Sequence, residues 1–180
     1  MNFIFFDTET TGLPKNYKAS PTDLNNWPRI IQLAWELCDE NGNVLNSYQS
    51  LIKPDGWVIP VKGFWIKNGF CTEINEVKGK MLPLVFGLFI KDLLQSNYMV
   101  AHNMGYDYPI IASEMIRYNV KTGRKLPRIC TMLSSKDWCN LPRKKWPKLE
   151  ELHGKLFGCN FEGATMLCQT LLRQENVSLN

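Results

Sequence analysis

A chain of 180 residues that is 44% hydrophobic and 12% aromatic can bury a core, which excludes a disordered tail and a disulfide-stapled miniprotein. The net charge of +4 and the pI near 8.7 permit a polyanionic partner without requiring one. No apolar run approaches the ~18–20 residues of a membrane span, the N-terminus lacks a basic leader region, and the six cysteines form no CxxC pair. These features predict a cytoplasmic protein with reduced thiols and no membrane contact.

Three apolar segments separated by turn signals predict an antiparallel meander in the first part of the chain. The segments are residues 2–6, 29–38 and 44–52. The first turns polar at Asp7 and breaks at residues 12–14, after which the polar residues 15–27 predict a loop. A hairpin turn is expected at residues 40–43.

Helical spacing and short buried strands alternate in the rest of the chain. Residues 61–80 predict short helical pieces and loops. The longer predicted helices are 82–95, 109–118 and 148–157, and the predicted strands are 98–101 and 128–131. Three antiparallel strands followed by alternating helices and strands indicate one α/β domain, with a mixed sheet flanked by helices.

Two carboxylates mark the end of the first strand. Asp7 and Glu9 are two residues apart, so they share one face of the strand, ~6–7 Å apart along it. Acidic groups beside a buried strand are costly unless a cation meets them. Mg²⁺ or Mn²⁺ would suit, because hard cations prefer oxygen ligands. The alternative is a solvated strand end that caps the structure after it.

A third carboxylate follows a later strand. Asp107 lies at the strand-to-helix junction 102–107, and it would meet Asp7 and Glu9 if the two strands were neighbours in the sheet. Three converging carboxylates are expected of a two-metal phosphodiester hydrolase. In such an enzyme one ion generates hydroxide, and two ions ~3.5–4 Å apart stabilise the developing charge.

The segments FDTETTGLP, WPRIIQLAWEL and VAHNMGYD resemble the first two motifs of the DEDD superfamily of 3′–5′ exonucleases. The resemblance covers residues 1–163 and is greatest to the epsilon proofreading subunit of bacterial DNA polymerase III and to stand-alone exonucleases. It implies an RNase H-like fold, two Mg²⁺ or Mn²⁺ ions, and catalytic and metal-binding roles for Asp7, Glu9 and Asp107. It also implies single-stranded DNA or other nucleic-acid 3′ ends as substrate, and a DNA polymerase subunit as a partner.

The same resemblance implies substrate-binding residues. Thr8 and Thr10 match positions whose backbone or hydroxyl meets the terminal nucleotide, and Asn103 belongs to the second motif. Phe70 lies in a segment that resembles the loop stacking on the last base. Ordinary core packing is an equal alternative for Phe70.

Two further features have alternative interpretations. His102 precedes the second motif and is expected to make a structural hydrogen bond rather than to act as a general base. The basic cluster at residues 143–145 is flanked by Trp138 and Trp146. It is either part of the rim of a nucleic-acid groove or a solvated loop.

The family pattern fails after Ala164. The DEDDh branch requires a histidine general base five residues before a final metal-binding aspartate, but no His, Asp or Tyr follows Ala164. We therefore divide the chain into an exonuclease domain, residues 1–164, and an atypical tail, residues 165–180. One interpretation is a reading-frame slip, because one nucleotide restored after the Ala164 codon allows codons that read Ala-His-Asp-Ala-Met-Ser-Asp.

Loss of the third motif has a chemical consequence whatever its origin. One metal loses a ligand and the attacking water loses its base, and loss of the base alone costs ~10²–10⁴ in rate. The expected function is a 3′–5′ exonuclease with weak or lost activity. The alternatives are a non-catalytic nucleic-acid-binding or polymerase-associated module of the same fold, and an RNA or oligoribonucleotide exonuclease.

Overall fold

One five-stranded sheet forms the centre of the fold in a computed structural model that describes residues 1–159. The strands are β1 (Asn2–Thr10), β2 (Ile30–Asp39), β3 (Val44–Leu51), β4 (Tyr98–Ala101) and β5 (Arg128–Cys130). They lie in the order β3-β2-β1-β4-β5. β2 pairs antiparallel with β1 and β3, whereas β1, β4 and β5 run parallel. The mixed sheet predicted from the sequence is confirmed.

Short and long helices connect the strands. In the described part of the chain they are α1 (Phe64–Lys67), α2 (Thr72–Lys78), α3 (Leu82–Gln95), α4 (Met104–Arg117), α5 (Thr131–Ser134), α6 (Lys136–Cys139) and α7 (Leu149–Phe157), with a 3₁₀ turn at Pro142–Lys144. The bounds of α3 and β4 agree with the sequence prediction. The predicted short helical pieces of residues 61–80 are α1 and α2.

The start of α4 differs from the prediction. Pro109 suggested a helix beginning at that residue, but α4 begins at Met104 and continues through the proline. Asn103, with φ 81°, makes the sharp turn from β4 into α4, and asparagine tolerates this left-handed conformation better than most residues. Its carbonyl accepts the Tyr106 N–H at 2.8 Å. Asp107 therefore lies in the first part of the helix rather than in a preceding loop.

One face of the sheet is covered by α3 and α4. Ile4 and Phe6 of β1 are buried against this layer, where the rings of Phe6 and Phe89 lie 6.0 Å apart edge to face. The Trp35 ring of β2 packs against Phe89 at 5.3 Å. Burial of each such side chain contributes about 1.5–3 kcal/mol. The alternation of β1 places Phe3, Phe5, Asp7 and Glu9 on the opposite face, where all four are half-buried.

A buried ion-pair network attaches the segment before β2 to α4. Glu114, 1% exposed, accepts the Arg29 Nε–H at 2.7 Å and lies 3.2 Å from a guanidinium nitrogen of Arg117. The same oxygen, Oε1, accepts the backbone N–H of Ile30 at 3.2 Å. Arg117 also donates to the carbonyl of Trp27 at 2.7 Å. The network fixes the chain between β1 and β2 beside the helix that carries Asp107.

Residues 1–159 contain neither a disulfide bond nor a helix that could span a membrane. The cysteines among residues 1–159 are all free: Cys38, Cys71, Cys130, Cys139 and Cys159. No helix of the described residues is long and apolar enough to cross a membrane. The predicted boundary at residue 164 and the tail 165–180 lie outside the described residues.

Candidate active site

The parallel pairing of β1 with β4 brings the predicted carboxylates to one edge of the sheet. Phe3 pairs with Tyr98 and Phe5 with Val100, so the carboxyl ends of both strands point the same way. α4 begins immediately beyond β4 and carries Asp107 back to β1. The strand that carries the first motif is thus adjacent to the strand that precedes the second motif, as the sequence predicts.

Thr8 joins the two motifs directly. Its backbone N–H and its hydroxyl donate to Oδ1 of Asp107 at 3.1 and 2.8 Å. Both side chains are buried, Thr8 at 4% and Asp107 at 2% exposure. A buried carboxylate needs such donors, because an unpaired one would carry the full cost of desolvation. Thr8 therefore fixes the orientation of Asp107 relative to β1.

Burial shifts the protonation of all three carboxylates in the same direction. It raises the pKa of Asp7 to about 6. It also raises the pKa of Glu9 to about 8, with a further contribution from the negative charge of Asp7. For Asp107, burial and then the charge of Asp7 raise the pKa well above its usual range, although the Thr8 hydrogen bonds oppose the change. The groups are thus close enough to repel one another when ionised.

Within residues 1–159, no cationic side chain forms an ion pair with Asp7, Glu9 or Asp107. Carboxylate oxygens are the donors that Mg²⁺ and Mn²⁺ prefer, so the donor set suits a hard divalent cation. No three His, Cys, Asp or Glu side chains in this part of the chain are arranged around a single ion position.

A bulge shapes the end of β1. The register with β2 shifts between Glu9 and Thr10, and such bulges redirect side chains at the ends of strands. The Thr10 hydroxyl is engaged with the carbonyl of Gly12 at 2.7 Å and with the Tyr106 hydroxyl. The Trp65 indole N–H donates to the Thr10 carbonyl at 2.8 Å. These contacts hold α1 and α4 against the strand end.

A cavity of about 280 Å³ opens beside Glu9. Its lining is mainly aromatic and apolar and comprises Glu9, Thr10, Gly12, Leu13, Phe64, Trp65 and Tyr106. Leu13 and Phe64 are 73% and 44% exposed, so both present apolar surface to solvent at the mouth. Burial raises the pKa of Tyr106 to about 12.

Sequence reasoning did not identify Leu13, Phe64, Trp65 or Tyr106. The available signals were the aromatic pair at residues 64–65 in a segment without strong helical periodicity, and a tyrosine next to Asp107. Leu13 lies near the end of the first-motif segment FDTETTGLP. None of these signals by itself distinguishes a ligand-facing ring from a core ring.

The other predicted substrate-binding residues have different surroundings. Phe70 is 8% exposed and packs in a small core with Ile31 and Ile59, so core packing describes its position. Its ring stacks on Phe64 at 6.3 Å, which places it behind the exposed ring. The Asn103 side chain makes no capping hydrogen bond to α4.

His102 makes the structural contacts that the sequence predicts. Its Nε2 lies 3.0 Å from the carbonyl of Pro147, and its Nδ1 lies 3.0 Å from the Thr131 hydroxyl. Because a carbonyl can only accept, Nε2–H donates to Pro147. Both ring nitrogens are therefore occupied, and burial lowers the pKa of His102. The ring links β4 to the segment before α7.

A second cavity, of about 300 Å³, lies between α3, α4 and the segment after α4. Buried apolar side chains such as Phe89, Leu93 and Met115 line it, with Arg124 and Arg128 among the polar lining residues. None of the predicted site residues contributes to its wall. Of these two cavities, the aromatic cavity beside Glu9 is the one lined by a predicted carboxylate.

The geometry can be compared with known proteins. No family model matches the sequence, and no curated protein matches it. Solved structures do match. Escherichia coli exonuclease I in complex with a dT13 oligonucleotide is 19% identical with a TM-score of 0.59, over 82% of this chain and 32% of that one.

Two further exonuclease I structures give higher TM-scores. The E. coli enzyme in complex with a 5cy-dT13 oligonucleotide has a TM-score of 0.67 at 19% identity, over 94% of this chain and 39% of the other. Exonuclease I in complex with the inhibitor BCBP has a TM-score of 0.64 at 18% identity, over 96% and 39%. The predicted RNase H-like fold is thereby confirmed. The matched region covers about a third of the length of the exonuclease I chain.

Proposed function

We propose that this chain is a 3′–5′ exonuclease that hydrolyses phosphodiester bonds at the 3′ ends of single-stranded DNA. One observation carries the proposal: Asp7, Glu9 and Asp107 lie close enough at the carboxyl ends of β1 and β4 that, in addition to burial, the charges of Asp7 and Glu9 raise the pKa of Asp107, and the charge of Asp7 raises that of Glu9. A protein gains nothing in stability from such repulsion, so a cationic ligand is the simplest reason for it. The similarity in fold to exonuclease I supports the same assignment.

Each residue of the site has a proposed role. Asp7, Glu9 and Asp107 would hold Mg²⁺ or Mn²⁺, which when bound would activate water and stabilise negative charge on the phosphate. Thr8 positions Asp107 through its two hydrogen bonds. The cavity beside Glu9 takes the terminal nucleotide.

The contacts around that cavity favour a nucleotide over a smaller group. Phe64 offers a partly exposed ring on which a base can stack, and base–aromatic stacking does not depend on sequence. The Tyr106 and Thr10 hydroxyls lie at the same wall. Asn103 remains a proposed substrate contact, whereas the Thr8 N–H and hydroxyl are both engaged by Asp107.

The rate of this enzyme is expected to be low. The chain has no His, Asp or Tyr after Ala164, so the third motif contributes neither a general base nor a fourth acid. A cytoplasmic proofreading subunit of the epsilon type, with a DNA polymerase subunit as partner, is the finer assignment we propose. The missing motif is also the observation that favours the second candidate, a nucleic-acid-binding module of the same fold without catalysis.

Shortening of a 5′-labelled single-stranded DNA tests the proposal. With Mg²⁺ or Mn²⁺ we expect a ladder of products shortened from the 3′ end, and EDTA should stop it. Asp7→Asn should reduce the rate on the order of 10²-fold or more, since even outer-shell partners of metal ligands contribute 10–100-fold. An RNA oligonucleotide of the same sequence separates DNA from RNA specificity.

The matched control is Asp23→Asn, which changes an exposed aspartate in the loop between β1 and β2. It should degrade DNA at the wild-type rate. Metal-dependent products that are equally abundant with Asp7→Asn would contradict the assigned site. Binding of the DNA without any hydrolysis would support the non-catalytic module instead.

A further inference from the structure

Residues 136–148, here named the basic tryptophan loop, carry exposed groups that the proposed reaction does not use. Trp138 is 52% exposed and Trp146 is 57% exposed. Exposed tryptophan is uncommon because its large apolar surface gains free energy when it is buried. Two such rings in one segment indicate a surface that binds a ligand with flat apolar faces.

Some cationic side chains of the loop have partners among the described residues, and others do not. Lys145 is paired with Glu151 at 2.6 Å, and the Lys136 ammonium lies 5.9 Å from the centre of the Trp146 ring. Within residues 1–159, no hydrogen bond or ion pair occupies the side chain of Arg143 or Lys144. These two exposed cations are therefore available to an anionic partner.

Nearby acidic residues do not cancel this charge. Glu151 is used by Lys145, and Glu150 is used by Lys148 at 3.3 Å. Asp137 is the remaining exposed carboxylate of the loop. Arg143 and Lys144 lie between the two tryptophans in the sequence. They therefore concentrate positive charge in this part of the loop.

The backbone at Arg143 and Lys144 adopts an unusual conformation. Arg143 has φ 58° and Lys144 has φ 51°, so consecutive long side chains adopt the left-handed conformation. This conformation is disfavoured for residues with a Cβ, and strained residues of this kind cluster at binding and catalytic sites.

The loop lies beside the carboxylate edge of the sheet. His102 donates to the carbonyl of Pro147 at 3.0 Å, and His102 immediately precedes the turn into α4. The loop is therefore attached at the end of β4, near the start of the helix that carries Asp107. A nucleic-acid strand whose 3′ end lies at the carboxylates would therefore continue onto this surface.

We propose that the basic tryptophan loop is a second binding surface for single-stranded nucleic acid, located 5′ of the nucleotide at the carboxylates. Trp138 and Trp146 stack on bases, and Arg143 and Lys144 contact phosphates. The position along the strand rests on the proposed exonuclease function. The binding itself does not depend on hydrolysis.

Binding of a fluorescein-labelled dT15 in EDTA, followed by anisotropy between 50 and 200 mM salt, tests the surface. Trp138→Ala with Trp146→Ala should weaken binding roughly 30-fold or more, with little change in salt dependence, because two stacking rings are removed. Arg143→Gln with Lys144→Gln should reduce the slope of log K against log salt by about 1.4, since each phosphate contact contributes about 0.7. Phenylalanine at both tryptophan positions should restore most of the lost affinity.

Two controls locate the effect. Lys121→Gln with Lys125→Gln removes two exposed lysines between α4 and β5 and should leave the slope unchanged. For dT3, the loss of affinity in the loop variants should be smaller than for dT15, because fewer bases are available to the loop. Circular dichroism melting confirms that each variant is folded.

The outcomes also separate this inference from the proposed function. Wild-type affinity for dT15 in both loop variants, or an equal loss in the lysine control, overturns the inference. If 3′ ends are degraded and the loop variants bind dT15 as the wild type does, only the inference is overturned. Binding of dT15 that depends on the loop, without any hydrolysis, supports the inference and contradicts the exonuclease.

Discussion

At the scale of single residues, the carboxylate cluster is a source of instability in the absence of a metal ion. Asp7 has a pKa of about 6 and Glu9 a pKa of about 8, whereas their ordinary values are 3.8 and 4.5. Between pH 4 and pH 8, roughly, the folded protein holds protons that the unfolded chain has released. Stability therefore falls as pH rises through this range, because the unfolded state then binds fewer protons than the folded state.

Asp7→Asn should reverse part of this loss. In EDTA, the melting temperature of the wild type should decrease from pH 4.5 to pH 8, and that of Asp7→Asn should decrease less. At pH 8 the variant should melt higher by about 3–8 °C, since 1 kcal/mol moves the midpoint of a domain of this size by roughly 2–4 °C. Differential scanning calorimetry at several pH values measures both effects.

Divalent metal provides the internal check for this experiment. Mn²⁺ should raise the melting temperature of the wild type at pH 8, because a ligand that binds only the folded state stabilises it. Asp7→Asn should gain less, and Asp23→Asn should follow the wild type throughout. A wild-type midpoint that rises steadily from pH 4.5 to pH 8 in EDTA would contradict the assigned repulsion.

At the scale of elements, the segment between β1 and β2 depends on α4. Glu114 accepts from Arg29 and Arg117, whose side chains are only 22% and 14% exposed. The pairs hold the chain that follows Gly12 and Leu13, which form part of the wall of the cavity beside Glu9. The network therefore supports the site without touching it.

Glu114→Ala should destabilise the fold by roughly 3–5 kcal/mol, because it leaves two largely buried guanidinium groups without their carboxylate. Urea unfolding monitored by circular dichroism measures this free energy. Glu114→Gln keeps an acceptor and should cost less. Glu40→Ala, which removes an exposed pair with the N-terminal amine, should cost under about 1 kcal/mol, and a similar cost for Glu114→Ala would contradict the network's importance.

The elements also show which parts of the fold can be read from sequence. The hairpin at residues 40–43 was predictable because Asp39 and Asn43 carry local turn chemistry, and the Asp39 carboxylate accepts the N–H of Asn43 at 2.9 Å. α3 was predictable from its apolar spacing. The start of α4 was not, because the left-handed turn at Asn103 depends on where β4 leaves the sheet.

The candidate site was partly predictable for the same reason. Asp7, Glu9 and Asp107 carry a strong motif, and the pairing of β1 with β4 could be expected from it. The exposure of Phe64 and the burial of Phe70 could not, since both follow from how α1 packs on the strand end through Trp65. Local spacing contains no information on that contact.

At the scale of the whole molecule, the proposed reaction is limited by what the chain lacks after Ala164. The family resemblance places a histidine directly after this alanine and an aspartate five residues later. Thr165 and Thr170 occupy those positions in the present sequence. They supply hydroxyls, which are neither general bases at neutral pH nor strong ligands for Mg²⁺.

Thr165→His with Thr170→Asp should raise the exonuclease rate on the order of 10²–10⁴-fold, the usual contribution of a positioned general base. Each single variant should give far less, because the base and the fourth metal ligand act together. The rate of 3′ shortening of labelled DNA measures the gain. No gain in the folded double variant would show that the tail does not occupy the family's position.

The parallel adjacency of β1 and β4 has a consequence for the assembly of the site. Phe3 and Tyr98 are neighbours in the sheet, although they are far apart along the chain. Contacts of such separation form only after the entropy of a long loop has been lost, so they tend to form late in folding. Neither motif is then a metal-binding unit by itself: a peptide ending after β1 offers two carboxylates, and one beginning at β4 offers Asp107 without them. The proposed metal-binding capacity would therefore be a property of the closed sheet, and its appearance during refolding would report the moment of that closure.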